Sequence, residues 1–295
     1  MHPAVVPALP PALLAVLGHP VAHSLSPALH EAGFAATGRT ARYVACDVAP
    51  QGLATAVAGL AALGFRGCNL TVPHKEAGCR LADARSPEAA ATGSANTLRF
   101  DGDRVFADTT DGRGLLRSLQ EESGWRPEGR RVVVVGAGGA ARAIVAALLA
   151  AGVADIAVAN RSAERAERLA VDLARLGGVR ALVAGADGWR AALGDADLLL
   201  NATTVGMHGH GLPLPEDDLD RLPGGSLVCD IVYVPEETPL LAAARRRGLT
   251  TVGGLGMLAW QAALAWEVWF GEPGPAPTLL AAARRALAER ARAPA

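Results

Sequence analysis

Lysine is almost missing from this chain: of 28 basic residues in 295, only Lys75 is a lysine. Arginine stays charged at any workable pH, whereas an ε-ammonium shifts its pKa readily and can give up and regain a proton. The one position that keeps lysine is therefore a candidate general acid/base, although a solitary lysine can also be a mere solvated side chain. Basic excess is missing too. The formal net charge is −1 and the arginines are interspersed with acids, so there is no basic stripe of the kind that neutralises a nucleic-acid backbone. The four cysteines, Cys46, Cys68, Cys79 and Cys229, lack metal-type pairing and the spacing of small secreted folds, which points to free thiols, no metal site and a reducing compartment. No apolar run is membrane-like. The longest, Val132 to Val158, is interrupted by Gly136, Gly138, Gly139, Arg142 and Asp155, and the first residues have no positive region and are broken by prolines. These features predict a soluble cytoplasmic protein without a signal peptide.

What is present is alternation. Strands are expected at Leu13 to Leu17, Ala41 to Val48, Gly67 to Val72, Asn96 to Phe100 and Arg104 to Ala107, with helices between them. Ser26-Pro27 and Ser86-Pro87 read as hydroxyl caps followed by proline at a helix start, and Asp101-Gly102 as a hairpin turn that brings Asn96 and Asp111 together. After a helix from about Gly112 to Glu122, apolar strands follow at Val132 to Val135, Asp155 to Ala159, Ala181 to Ala184, Leu198 to Ala202, Leu227 to Val232 and Thr250 to Val252. Continuous apolar strands separated by helices predict a parallel sheet covered on both faces. The fold class is α/β: an α/β substrate domain over residues 1–112, a doubly wound nucleotide domain over 113–255, and C-terminal helices over 256–295 that return to the first domain. Hinges are expected near Asp111 to Gly114 and Val252 to Gly256, with the cleft between domains holding both ligands.

The strand ending at Val135 runs into Gly136-Ala-Gly138-Gly139-Ala140-Ala141 and then a helix, the proper setting for a dinucleotide fingerprint. Gly136 makes the turn, Gly138 allows close approach of a pyrophosphate and Ala141 takes the helix-packing position. The next strand ends at Asn160-Arg161-Ser162, with Arg165 one turn on, where an NAD enzyme would usually place an acid. Two guanidiniums and a hydroxyl suit a 2′-phosphate, so the cofactor is NADP.

A nicotinamide cofactor implies hydride transfer, which needs a group to handle the hydroxyl proton. Candidate polar segments are Ser24-Leu-Ser26 ahead of a helix, suited to a carboxylate unless Ser26 is a plain N-cap; Asn69, Thr71 and Lys75; and Asn96-Thr97 with Thr110-Asp111. Asp111 also reads as the N-cap of the next helix, and the two roles are compatible. His23 is read as structural, His74 as ambiguous, and the loop Met207 to Pro213, with His208 and His210, as a mobile cofactor loop rather than a metal site.

Along nearly its whole length the chain resembles the shikimate dehydrogenase family. The resemblance rests on Gly18-His-Pro-Val-Ala-His-Ser24-Leu-Ser26-Pro27, Asn69-Leu-Thr71-Val-Pro-His-Lys75-Glu76, Gly93-Ser-Ala-Asn96-Thr97, Thr110-Asp111-Gly112, the glycine loop, Asn160-Arg161-Ser162, Asn201-Ala-Thr203-Thr-Val-Gly206-Met207, Asp230-Ile-Val-Tyr233 and Gly254-Leu-Gly-Met257-Leu-Ala-Trp-Gln261. It implies that Ser24, Ser26 and Tyr233 hold a substrate carboxylate and that Thr71, Asn96 and Gln261 bind ring hydroxyls, with Lys75 and Asp111 as the catalytic pair. It also implies that Gly136, Gly138, Gly139, Ala140, Ala141, Asn160, Arg161, Ser162, Arg165, Thr203, Met207, Gly254 and Met257 line the NADP site, although a methionine ordinarily just fills core space. The implied activity is reversible NADPH-dependent reduction of 3-dehydroshikimate to shikimate by a monomer or homodimer. Rival readings are a paralogue acting on quinate or aminoshikimate, and a non-catalytic dinucleotide-binding sensor. Three positions depart from the family pattern: Thr109 and Glu31, where asparagine is usual, and Ser162, where threonine is common.

Overall fold

Two six-stranded sheets account for the apolar runs in the computed structural model, which describes residues 11–186 and 188–292. The first comprises β1 (Ala12–Gly18), β2 (Ala41–Asp47), β3 (Gly67–Leu70), β4 (Ala84–Arg85), β5 (Thr97–Asp101) and β6 (Arg104–Asp108), in the order β2-β1-β3-β5-β6-β4. β1 pairs in parallel with both β2 and β3, and the β5–β6 hairpin adds antiparallel strands. Gly102 at the turn has φ 63°, the left-handed conformation that the Asp-Gly signal supplies. Intervening helices are α1 (Ser26–Thr37), α2 (Leu53–Ala62), α3 (Lys75–Leu81) and α4 (Pro87–Thr92). Two-residue β4, parallel to β6, is too short to show a period in sequence.

Helix α5 (Asp111–Ser123) leads into the second sheet of β7 (Arg131–Val135), β8 (Asp155–Asn160), β9 (Val179–Val183), β10 (Leu198–Asn201), β11 (Leu227–Asp230) and β12 (Thr250–Val252). Its order, β12-β11-β10-β7-β8-β9, is parallel throughout and reverses between β7 and β10. That is the doubly wound arrangement, with its ligand crevice beyond the carboxyl ends of the strands at the reversal. Helices α6 (Gly139–Ala150), α7 (Ala163–Leu173), α8 (Trp189–Gly194) and α9 (Pro239–Arg246) cover it. Strand period places Val132 and Val134 in one core with α6 and α7, and Val133 and Val135 in another with Trp189 and α9.

The first sheet shows the same alternation. Ala15 and Leu17 of β1 face α2 and α3, while Leu14 and Val16 meet Phe34 and Tyr43 together with Trp266 and Trp269. Both tryptophans belong to α10 (Gly254–Phe270), which with α11 (Ala276–Arg292) comes back across the molecule to cover this face. Gly114 lets α5 seat directly on α10, because a Cβ there would lie 2.7 Å from the Gln261 backbone nitrogen.

Two expected helix caps differ from the structure. Ser86 caps α4 by accepting from the Ala89 N–H at 3.1 Å. Ser26 does not cap α1: Leu25, already in helical conformation and fully buried, takes the N-cap position, and Ser24 Oγ instead accepts from the Ser26 N–H at 3.2 Å. Asp111 likewise is the first residue of α5, after Thr110 at the cap, so its carboxylate is not engaged in capping.

Candidate active site

Lys75 opens α3 just past the end of β3, and Asp111 opens α5 just past β6, so two strands of the first sheet deliver them to the same end of it. Lys75 Nζ donates to Asp111 Oδ2 at 2.5 Å. The side chains are only 16% and 6% exposed, so the pair is largely withdrawn from water and each charge depends on the other. Asn96, at the head of β5, donates from Nδ2 to Asp111 Oδ1 at 2.9 Å and also faces Thr110 Oγ1 at 2.9 Å and Gln261 Oε1 at 3.1 Å. One amide has two hydrogens for these three acceptors, so they are shared. Asn96 Oδ1 accepts from the Thr110 N–H at 2.8 Å, and Thr110 Oγ1 donates to the Gln261 carbonyl at 2.9 Å. The hairpin thus joins Asn96 to Asp111, and α10 supplies Gln261 from far along the chain.

Around this pair the structure also places Tyr43 and His30, which motif reading passed over, behind Asn69, which it named. Asn69 of β3 donates to the Asn96 carbonyl and to Thr97 Oγ1, and accepts from the Tyr43 hydroxyl at 2.6 Å. Burial pushes the Tyr43 phenol well above its ordinary range. Tyr43 stacks on His30, with ring centroids 4.2 Å apart, and Trp266 Nε1 donates to His30 Nδ1 at 2.9 Å. Burial drives the His30 imidazole down to about 3, with the Asn69 side chain pulling the other way. His30, not His23, is therefore the buried structural histidine; the His23 side chain is exposed. His74 is structural too, its Nε2 lying 2.7 Å from the Val48 carbonyl. Thr71 sits close against Gly18, where a Cβ would come within 2.4 Å of the threonine methyl. Ser26 is buried, and Ser24 and Tyr233 are half-buried nearby, Tyr233 packed on the apolar cluster of Leu25, Leu29 and Leu255.

The second sheet faces this site. β7 runs into Gly136, with φ 116°, and a Cβ there would lie 2.9 Å from the Ala202 carbonyl oxygen just past β10. Gly138 caps α6 with open space where its side chain would be, while buried Ala141 faces the core. Gly139 abuts the first sheet: a Cβ on it would lie 3.4 Å from Lys75 Cβ, and Ser94 Oγ donates to its carbonyl at 3.5 Å. At the end of β8, Asn160 donates to the Ser162 carbonyl, and Arg161 and Arg165 are exposed with no ion-pair partner among the described residues. An open glycine cradle and two uncommitted guanidiniums one helical turn apart fit a dinucleotide with a 2′-phosphate. Beyond β10, Thr203 Oγ1 donates to Asn201 Oδ1 at 2.7 Å, and Asn201 donates to Asp230, which also accepts from Thr238. Burial raises the Asp230 carboxyl despite those bonds. Met207 is half-buried on the following loop, while Gly254 and Met257 start α10, Met257 lying in the core of the second sheet.

Three family models match the chain: the shikimate dehydrogenase substrate binding domain over residues 16–98, shikimate / quinate 5-dehydrogenase over 119–207, and the shikimate 5′-dehydrogenase C-terminal domain over 254–284. A shikimate dehydrogenase (NADP(+)) of Symbiobacterium thermophilum is 50% identical over 94% of this chain and 95% of its own length. The chain belongs to the shikimate dehydrogenase family. Among solved members of that family, the Thermus thermophilus shikimate 5-dehydrogenase in complex with NADP(H) and shikimate matches with a TM-score of 0.84 and 38% identity, over 94% of this chain and 100% of that one. The fold is shared with a quinate dehydrogenase of Corynebacterium glutamicum in complex with NAD, at a TM-score of 0.84 and 31% identity over 93% and 99% of the two chains. No helix among the described residues is long and apolar enough to cross a membrane.

Proposed function

We propose that this protein catalyses the reversible NADPH-dependent reduction of 3-dehydroshikimate to shikimate, a step of aromatic amino-acid (chorismate) biosynthesis. The observation that carries this reading is the Lys75–Asp111 pair, held at 2.5 Å beyond the ends of β3 and β6 with Lys75 against the start of α6. NADPH, when bound, supplies hydride. As the carbonyl carbon accepts it, the oxygen gains negative charge and the Lys75 ammonium donates a proton to it; in the reverse direction the amine takes the hydroxyl proton. Asp111 orients the ammonium and stabilises its charge. Asn96 fixes the Asp111 carboxylate, and with Thr71 and Gln261 it binds the ring hydroxyls. Ser24, Ser26 and Tyr233 hold the substrate carboxylate.

Gly136, Gly138, Gly139, Ala140 and Ala141 would hold the pyrophosphate, Asn160, Arg161, Ser162 and Arg165 the 2′-phosphate, and Thr203, Met207, Gly254 and Met257 the nicotinamide end. In this reading residues 1–112 with 256–295 form the substrate domain and 113–255 the NADP domain, in a cytoplasmic monomer or homodimer. Steady-state rates with shikimate, quinate and aminoshikimate, each with NADP and with NAD, test the assignment. Shikimate with NADP should give the highest kcat/KM; a higher value for quinate with NAD would place the protein with the quinate dehydrogenases, and no turnover on any pair would leave a dinucleotide sensor.

A further inference from the structure

The three groups assigned to the substrate carboxylate, Ser24, Ser26 and Tyr233, are all neutral, yet an anion drawn out of water needs a compensating charge as well as hydroxyl donors. The structure brings one exposed cation onto the loop that carries Ser24. Arg290, in the last turn of α11, donates from Nη1 to the His23 carbonyl at 2.5 Å and from Nη2 to the Ser24 carbonyl at 2.9 Å. The planar fork thus grips two successive carbonyls of the loop that carries Ser24, and Ser24 Oγ in turn accepts from the Ser26 N–H. Burial raises the Tyr233 phenol pKa, and the nearby Arg290 charge offsets only part of that rise. Arg290 has no carboxylate within ion-pair distance among the described residues, whereas Arg284 on the same helix is paired with Glu236.

We propose that Arg290 is a specificity-determining residue, setting the Ser24 loop in place and supplying the positive field that makes this end of the site prefer an anionic ring carboxylate over a neutral group of the same shape. The inference rests on the assignment of Ser24, Ser26 and Tyr233 to the carboxylate. Arg290 acts across the loop it grips, so its effect falls on substrate affinity rather than on proton or hydride transfer. A substrate carrying a carboxamide in place of the carboxylate removes the charge and keeps the shape.

The test compares KM and kcat for shikimate and for its carboxamide in the wild type, Arg290→Gln, Arg290→Lys and Ser26→Ala. Arg290→Gln should raise KM for shikimate about 5- to 30-fold, between the effect of an exposed ion pair and that of a partly buried charged hydrogen bond. Its kcat should stay within about two-fold, the pattern of lost uniform binding, and KM for NADP should be unchanged. KM for the carboxamide should change by less than about two-fold, and Arg290→Lys, which keeps the charge, should recover most of the shikimate affinity. Equal losses for acid and carboxamide would overturn the proposal by showing that Arg290 only props the loop, and unchanged KM for the acid would overturn it outright. Ser26→Ala separates the two levels: if it leaves shikimate binding intact, the carboxylate lies elsewhere and the underlying assignment fails. A loss with Ser26→Ala but none with Arg290→Gln would remove Arg290 alone.

Discussion

At the end of the first sheet the polar groups are side chains bonded to one another, whereas at the end of the second they are an open glycine loop and two exposed arginines. Asn69, Asn96, Thr97, Thr110, Asp111 and Gln261 form one buried network around Lys75, with Tyr43 and His30 behind it. Gly138 faces empty space, and Arg161 and Arg165 are exposed to solvent. A proton donor must be aligned before substrate arrives, so the ordering cost is met in folding. A cofactor phosphate brings enough charge to order flexible guanidiniums itself, so that side can stay uncommitted until it binds.

That contrast breaks first at Lys75. Lys75→Arg keeps the charge and removes the group that exchanges a proton, so kcat should fall by about 10² to 10⁴ while KM for shikimate changes far less. Because Lys75 is the only lysine, an amine-directed reagent offers an independent check. Shikimate should protect the protein, and full activity after complete modification of Lys75 would remove it from the mechanism.

A smaller effect concerns the support behind the network. The unfolded His30 titrates near 6.5 and the folded one near 3, so between those values the unfolded chain binds more protons. The stability that comes from keeping His30 neutral is complete above about pH 6.5 and drains away as the pH falls toward 3, by ~5 kcal/mol at most. Thermal unfolding between pH 7 and 4 should therefore be more acid-sensitive in the wild type than in His30→Gln, whose amide oxygen still accepts from Trp266. Parallel curves would show that His30 does not titrate on unfolding.

The smallest effect belongs to the open side. Arg161→Ala should weaken NADP binding by about 1.5 to 3 kcal/mol, the range of a charged hydrogen bond, and leave NAD binding nearly unchanged. Isothermal titration with both cofactors checks this, and equal losses would show that Arg161 does not read the 2′-phosphate.

Much of the scaffold was legible because parallel strands buried on both faces are continuous apolar runs, as at Val132–Val135, and because Asp101-Gly102 and the glycine loop carry their turns in their residue types. What escaped notice depends on distant partners. β2 exposes Val44 and buries Tyr43, and nothing nearby in the sequence says that Tyr43 reaches Asn69 of β3 or stacks on His30 of α1. β4 has no period to detect. The cap of α1 was misplaced because Ser26-Pro27 fits the capping pattern, while the helical Leu25 is held in its burial by α10 and α11. Nothing in the sequence around Arg290 sets it apart from its neighbouring arginines, and only the return of α11 to the Ser24 loop distinguishes it.

That returning tail also fixes an order of events during synthesis. Leu14, Val16, Phe34 and Tyr43 emerge from the ribosome before any strand of the second sheet, but the tryptophans that cover them, Trp266 and Trp269, are made only after its last strand. The second sheet, complete once Val252 is out, holds all the strands of its own two cores. The later-made sheet can therefore close first, while the earlier-made one waits with an apolar face open to chaperones or to misassembly. Nascent chains stalled at increasing lengths should become protease-resistant first over residues 131–252 and only later over 12–108, and the opposite sequence of protection would refute this order.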